Sequence, residues 1–371
     1  MSMIKKLVCK TIFNISPYQP GKPIEEVARE IGIEDVSSIS KLASNENPLG
    51  PSPRALEAIR AKLPMLNLYP DGNGYYLKQA LAEKLGVGVD QLILGNGSNE
   101  ILELVSHLVA GQGKKVVYSG TSFAIYMIMS HIFGMSSIEV PMCDFVNDLE
   151  GLAAAVTPDV ALLFLCNPNN PTGTAVRPED LDDFLRSLPR ELAVILDEAY
   201  YEYLPEEWRY DGIARLGDPA YPHLILLRTF SKAYGLAGLR IGYGISTPEF
   251  IDVLNRVRQP FNTNSLAQAG ALAALGDQEH VEKTLRVNRE GMLQLEEGFR
   301  RLGLAYVPTF ANFILVRVGD GDAVFRRLLA RGVIVRPMGG YRLPEYIRVT
   351  IGLPEENRRF LRELAAALEQ T

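Results

Sequence analysis

From residue 91 to residue 245 the chain alternates short, apolar, β-rich runs with amphipathic helical stretches, and this alternation restricts the fold more than any other feature. Strands joined by helix-length crossovers pair in parallel, and a parallel sheet is covered by helices on both faces. The runs at 91–94, 115–118, 138–141, 160–165, 192–196, 224–228 and 240–245 read as strands bounded by Gly, Pro or charged residues. Helical patterns at 99–110, 148–155 and 178–188 lie between them, the last opening with Pro178 followed by Glu179 and Asp180. The expectation is an α/β fold with a doubly wound, mostly parallel, seven-stranded sheet.

After Pro248 the pattern changes. Residues 278–302 read as a long amphipathic helix, 312–318, 333–336 and 346–350 as strands, and 322–330 and 355–369 as helices of a smaller α/β unit. The proline-bearing stretches 16–23 and 45–53 read as an extended arm.

The 38 Lys plus Arg against 44 Asp plus Glu leave a net charge of −6, which argues against a nucleic-acid-binding face. Cys9, Cys143 and Cys166 are odd in number and far apart, so a disulfide framework is not expected and a reducing cytoplasm fits. No signal peptide is visible in the first ten residues. Residues 116–138 lack Asp, Glu, Lys and Arg, but serines, Gly120 and Gly134 divide them into a strand, a buried helix and a turn rather than a membrane span. His107, His131, His223 and His280 show no metal-ligand spacing, and no metal is expected.

The stretch 229–243 follows an apolar strand and places Lys232 in a Ser- and Gly-rich turn. A lysine partly desolvated there becomes an amine nucleophile or Schiff-base former, although a solvated lysine at a strand end is the plain alternative. Arg240 adds a cation with bidentate reach for phosphate. Asp197 stands at the carboxyl end of a buried strand, where open α/β sheets bind ligands, and needs a cationic partner, a pyridinium or an arginine. Tyr200 offers a hydroxyl to a ligand oxygen or packs in the core. In the turn 165–173, Asn170 offers an amide to a ring oxygen. Ser98 opens a helix whose backbone N–H groups face any bound anion. Glu100 stands where a dinucleotide fingerprint needs its third glycine, which speaks against a nicotinamide cofactor. A lysine, a strand-end acid, a ring-oxygen partner and a phosphate cup together suit pyridoxal 5'-phosphate.

The motifs Leu42-Ala-Ser-Asn-Glu-Asn-Pro-Leu-Gly50, Tyr69-Pro-Asp-Gly72, Asn169-Asn-Pro-Thr-Gly173, Ser231-Lys232 with Arg240, Arg258-Gln-Pro-Phe-Asn262 and Arg348-Val-Thr-Ile-Gly352 carry a family resemblance. The sequence resembles the fold-type I aminotransferases and, within them, the histidinol-phosphate aminotransferases, from about residue 18 to 364. The resemblance implies that Lys232 holds the cofactor and shuttles the substrate proton, and that Asp197 keeps the ring nitrogen protonated. It implies that Asn170 and Tyr200 meet the ring oxygen, that Phe123 stacks on the ring, and that Ser98, Asn99, Ser231 and Arg240 hold the phosphate. Tyr69 would reach the phosphate of the neighbouring subunit, which makes a homodimer part of the site. Arg348, Arg336, Tyr18 and Asn170 would receive the substrate, although paired surface salt bridges also explain the two arginines. Two departures, at 118–121 and at Asn99, touch only the phosphate cup.

The implied division is 1–45 as arm and part of the small domain, 46–260 as the large cofactor-binding domain, and 261–371 as interdomain helices and small domain. The implied reaction is reversible transamination between L-histidinol phosphate and 2-oxoglutarate, in histidine biosynthesis. An aromatic amino-acid aminotransferase, a phosphothreonine decarboxylase and a non-catalytic ligand-sensing module are the alternatives.

Overall fold

The fold is that of a computed structural model describing residues 10–15, 17, 23–32, 35–111 and 113–369. A short strand, β1 (Ser40–Lys41), precedes the seven strands of the main sheet: β2 (Leu92–Gly95), β3 (Lys115–Ser119), β4 (Ser136–Val140), β5 (Val160–Cys166), β6 (Ala193–Asp197), β7 (His223–Thr229) and β8 (Gly242–Ile245). Their order is β2-β8-β7-β6-β5-β3-β4, with only β8 antiparallel to its neighbours. This is the seven-stranded, mostly parallel sheet expected from the alternation.

The continuous apolar runs follow from burial of both faces. Successive side chains point to opposite sides of a strand. Leu163, Leu165, Val194, Leu196, Leu224 and Leu226 join one core, while Leu162, Phe164, Ala193, Ile195, Ile225 and Leu227 join the other. Helix Pro178–Ser187 has Pro at its start and acids in its first turn, as read from the sequence. Residues 125–132 form a helix whose Tyr126 and Ser130 are buried, so the apolar stretch 116–138 divides into a strand, a helix and the start of the next strand. No helix among the described residues is long and apolar enough to cross a membrane.

The second sheet is antiparallel: β9 (Tyr306–Val307), β10 (Phe313–Arg317), β12 (Arg336–Pro337) and β13 (Tyr346–Thr350), in the order β12-β13-β10-β9, while β11 (Val333–Ile334) pairs with β1. Helices Gln278–Arg301 and Pro354–Leu368 cover it, with Leu295, Phe299, Phe360 and Leu364 packed on Ile314, Val316 and Val349.

Several expectations are corrected. The strand expected at 333–336 is two strands, because Val335 turns into the core between a partner in β1 and a partner in β13. Arg240 does not begin a strand; its φ of 56° is left-handed, and β8 starts at Gly242. Between the two proline-bearing stretches Ile24–Ile31 is helical, and within the second Asn45 and Asn47 are buried. Helices Pro53–Lys62, Tyr75–Leu85 and Ser265–Leu275 were not legible from periodicity.

Candidate active site

The carboxyl ends of β5, β6 and β7 open into a cavity of about 330 Å³, closed on its far side by the second sheet and the segment 43–46. It is lined by Ser98, Asn99, Phe123, Asn170, Asp197, Tyr200, Ser231, Lys232, Arg240, Arg336 and Arg348. Eleven side chains singled out from sequence thus share one space, as strand ends in an open α/β sheet predict.

Lys232 sits in a tight turn closed by Gly235 N–H to the Lys232 carbonyl at 3.0 Å, Leu236 N–H to the Phe230 carbonyl at 3.0 Å, and Ser231 N–H to Thr229 Oγ1 at 3.1 Å. Its Nζ donates to the Ser44 carbonyl at 3.3 Å. Desolvation, then the charge of Arg348, then that of Arg240, push its pKa down to about 8, against the opposing charges of Glu46 and Asp197. An amine so placed is substantially neutral near pH 8 and able to attack a carbonyl.

Asp197 is 3% exposed at the end of β6 and is bonded at both oxygens, by Ala199 N–H at 3.2 Å and by Tyr126 Oη at 2.8 Å. Burial raises its pKa, opposed first by the Tyr126 bond. Tyr200 is buried, accepts from Asn45 Nδ2 at 2.9 Å, and packs edge-on against Phe313. Burial raises its phenol, with Arg348 opposing.

Helix Ser98–Val109 begins without a side-chain cap, leaving its first N–H groups for an anion. Gly97, at φ 75°, admits the Arg240 guanidinium beside that terminus: a Cβ there would lie 2.4 Å from Nη2. An uncapped terminus, the hydroxyls of Ser98 and Ser231 and a guanidinium thus share one end of the cavity.

On the opposite wall Arg336 and Arg348 are direct cross-strand partners in β12 and β13. Like charges placed opposite one another repel, so this pair needs negative charge or acceptor oxygens close by. Arg348 is 7% exposed, donates to the Ala43 carbonyl at 2.9 Å and to Asn170 Oδ1, and lies 5.1 Å from the Phe313 ring centre. It is no surface residue.

The Aminotransferase class I and II family matches residues 37–364. The chain belongs to that family. Among curated members of this aminotransferase family, histidinol-phosphate aminotransferase 1 of Cupriavidus pinatubonensis is 52% identical over 359 residues, covering 96% of this chain and 95% of the relative. The enzyme of the same name from Nitrosococcus oceani is 48% identical over 370 residues, covering 100% and 99%. The crystal structure of histidinol-phosphate aminotransferase from Sinorhizobium meliloti, in complex with pyridoxal-5'-phosphate, superposes with a TM-score of 0.89 at 31% identity, covering 98% of each chain.

One expected site residue of this aminotransferase stands apart from the cavity: Tyr69 is 83% exposed and stacks on Phe261 at 4.7 Å. Tyr18 lies outside the described residues. Sequence reasoning missed Tyr126, whose phenol bonds Asp197, and Asn45, whose amide bonds Tyr200. Asn45 belongs to a motif that carried the resemblance, but no role had been drawn from it. Tyr126 sits in an apolar stretch where only its hydroxyl hinted at more than packing. Ser44, Glu46, Cys166 and Tyr341 also line the cavity unforeseen.

Proposed function

We propose that this chain catalyses the reversible pyridoxal-phosphate-dependent transamination of L-histidinol phosphate with 2-oxoglutarate, giving imidazole-acetol phosphate and glutamate, in histidine biosynthesis. The observation that carries it is one cavity holding Lys232, Asp197 and a phosphate cup on one wall and two opposed arginines on the other. The names borne by relatives at about half identity over nearly the whole chain support the substrate.

The residues present fit the cofactor. Gly97 leaves the room that Arg240 occupies, and the bare helix terminus supplies donors for a doubly charged phosphate. Ser98, Asn99, Ser231 and Arg240 would hold that phosphate, Phe123 would stack on the ring, and Asn170 and Tyr200 would meet its oxygen. Bound there, the cofactor supplies an electron sink for the pair left when the substrate loses its Cα proton. Lys232 would hold the cofactor through its amine and would be the group placed to move the proton at the substrate Cα. Asp197, buried from water, would keep a proton on the ring nitrogen. Arg348, fixed by Asn170 and Ala43, would orient the anionic group of each substrate, with Arg336 beside it; the resemblance adds Tyr18 as a further contact to the substrate phosphate.

The working unit in this reading is a homodimer. Tyr69 and Phe261, stacked together, stand exposed at 83% and 46%, with exposed Leu66 and Leu68 beside Tyr69 in sequence, an apolar face that suits a second copy bringing Tyr69 to its neighbour's phosphate. Cys143 and Cys166 are free thiols, which suits a reducing cytoplasm. We divide the chain at residues 45 and 260, and the pairing of β1 with β11 supports grouping the first part with the small domain.

The deciding experiment compares L-histidinol phosphate with L-phenylalanine as donors to 2-oxoglutarate. A large kcat/KM advantage for the phosphate ester is expected; comparable or reversed values would move the function to aromatic amino acids.

A further inference from the structure

Tyr126 has no part in the assignment above, yet it makes the shortest side-chain contact to the strand-end acid. Its Oη donates to Asp197 Oδ2 at 2.8 Å. The residue is fully enclosed, stacked on Phe164 at 4.7 Å with an interplanar angle of 7°, and set edge-on to Phe123 at 5.9 Å. Phe123 faces the cavity, so Tyr126 stands directly behind the wall against which a cofactor ring would lie. Held between two rings, its hydroxyl has no solvent-facing position to adopt.

We infer that Tyr126 is a positioning residue for this reaction: its hydroxyl, donated to Asp197 Oδ2, keeps that carboxylate an anionic acceptor for the protonated ring nitrogen of the cofactor. The inference rests on the cofactor reading above and adds a residue to it.

The physical reason lies in what a buried carboxylate does when left to itself. Desolvation favours the neutral acid, and an Asp197 that took the proton would no longer stabilise a charged ring nitrogen. The groups facing Asp197 are Tyr126 from helix Ile125–Ile132, Cys166 as its register partner in β5, Lys232 from the turn after β7, and Glu198 and Tyr200 on its own segment. Cys166 and Tyr200 are pushed upward by burial and stay neutral, and Glu198 is occupied by Arg228 at 2.8 Å. Among these, the phenol is the neutral donor aimed at the carboxylate. A lysine or arginine in its place would pair with Asp197 and compete with the ring cation. A phenol stabilises the anion and leaves the charge pairing open.

The test uses the holoenzyme reconstituted with cofactor labelled with 15N in the ring. Wild type should show a pyridinium 15N shift. Tyr126→Phe keeps both ring contacts and removes one oxygen. Its signal should move toward neutral pyridine as the proton passes to Asp197, with kcat down roughly tenfold to a hundredfold, the loss of a hydrogen bond to a charged group, and KM little changed. Tyr118→Phe makes the same deletion in the same aromatic cluster, where the hydroxyl meets Glu139 at 3.4 Å, and should leave the ring signal at its wild-type position. A pyridinium signal and kcat retained in Tyr126→Phe would overturn the inference, as would an equal change in Tyr118→Phe. A wild-type protein that takes up no cofactor would instead overturn the cofactor reading, and the wild-type spectrum alone reveals it.

Discussion

The amine of Lys232 donates to the carbonyl oxygen of Ser44, 188 residues earlier in the chain, across 3.3 Å. The contact joins the turn after β7 to the segment following β1, so Lys232 is held between the main sheet and that segment. Its reactivity is therefore a property of the assembled cavity.

The depressed pKa of Lys232 sets a pH dependence. The neutral amine is the attacking form, so covalent capture of pyridoxal phosphate by the apoprotein should accelerate as pH rises and level off above about 8. Arg348 is the largest charge contribution to that depression, so Arg348→Met should shift the plateau to higher pH. Stopped-flow absorbance reads both, and a borohydride-reducible linkage surviving in Lys232→Ala would remove this lysine from its role.

Arg348 binds substrate rather than reacting atoms in this reading. Arg348→Ala should raise KM for amino donor and acceptor alike by about tenfold to a hundredfold, the range for a lost charge-assisted bond, with a smaller effect on kcat. If steady-state kinetics show KM unchanged for both, the residue's part is structural.

Glu198 and Arg228 form an ion pair at 2.8 Å with side chains 3% and 7% exposed, and the arginine also lies 3.5 Å from the Tyr201 ring centre. Glu198→Ala strands a cation in the interior and should lower stability by about 3–5 kcal/mol. Replacing both by Met should recover most of that loss. Urea unfolding midpoints of the single and double variants check it, and equal losses in the two would show that the pair's charge is not what matters.

Gly97→Ala places a methyl group against the Arg240 guanidinium at a backbone φ that side chains rarely adopt. Pyridoxal phosphate affinity should fall by at least tenfold, since Arg240 must move from the helix terminus, while far-ultraviolet circular dichroism stays that of the wild type. Undiminished affinity would place the phosphate elsewhere.

Much of this site was legible because its chemistry lies at strand ends. Asp197, Lys232 and Asn170 each follow an apolar run, and parallel strands bring such ends to one edge of the sheet. Ser98 and Arg240 were legible for a similar local reason, a glycine-bearing turn into a helix and a cation after a glycine-rich loop. The break between β11 and β12 escaped notice because 333–336 is uniformly apolar until Arg336, and the change of pairing partner leaves no mark in the run itself. Helix Ser265–Leu275 escaped because its alanine-rich sequence has no polar face to give a period.

The alternation that builds a parallel sheet, and the identity of the groups that sheet delivers to its carboxyl edge, are written in the chain itself. Both are local, because strand period and turn chemistry act over a few residues. Only the tertiary structure decided that Arg336 and Arg348 stand opposite one another, that Asn45 bonds Tyr200, and that Tyr126 bonds Asp197. Those contacts join segments distant in the chain. They exist because two sheets and their helices pack in one arrangement, and packing depends on the shapes of many side chains at once, which no short window of sequence contains.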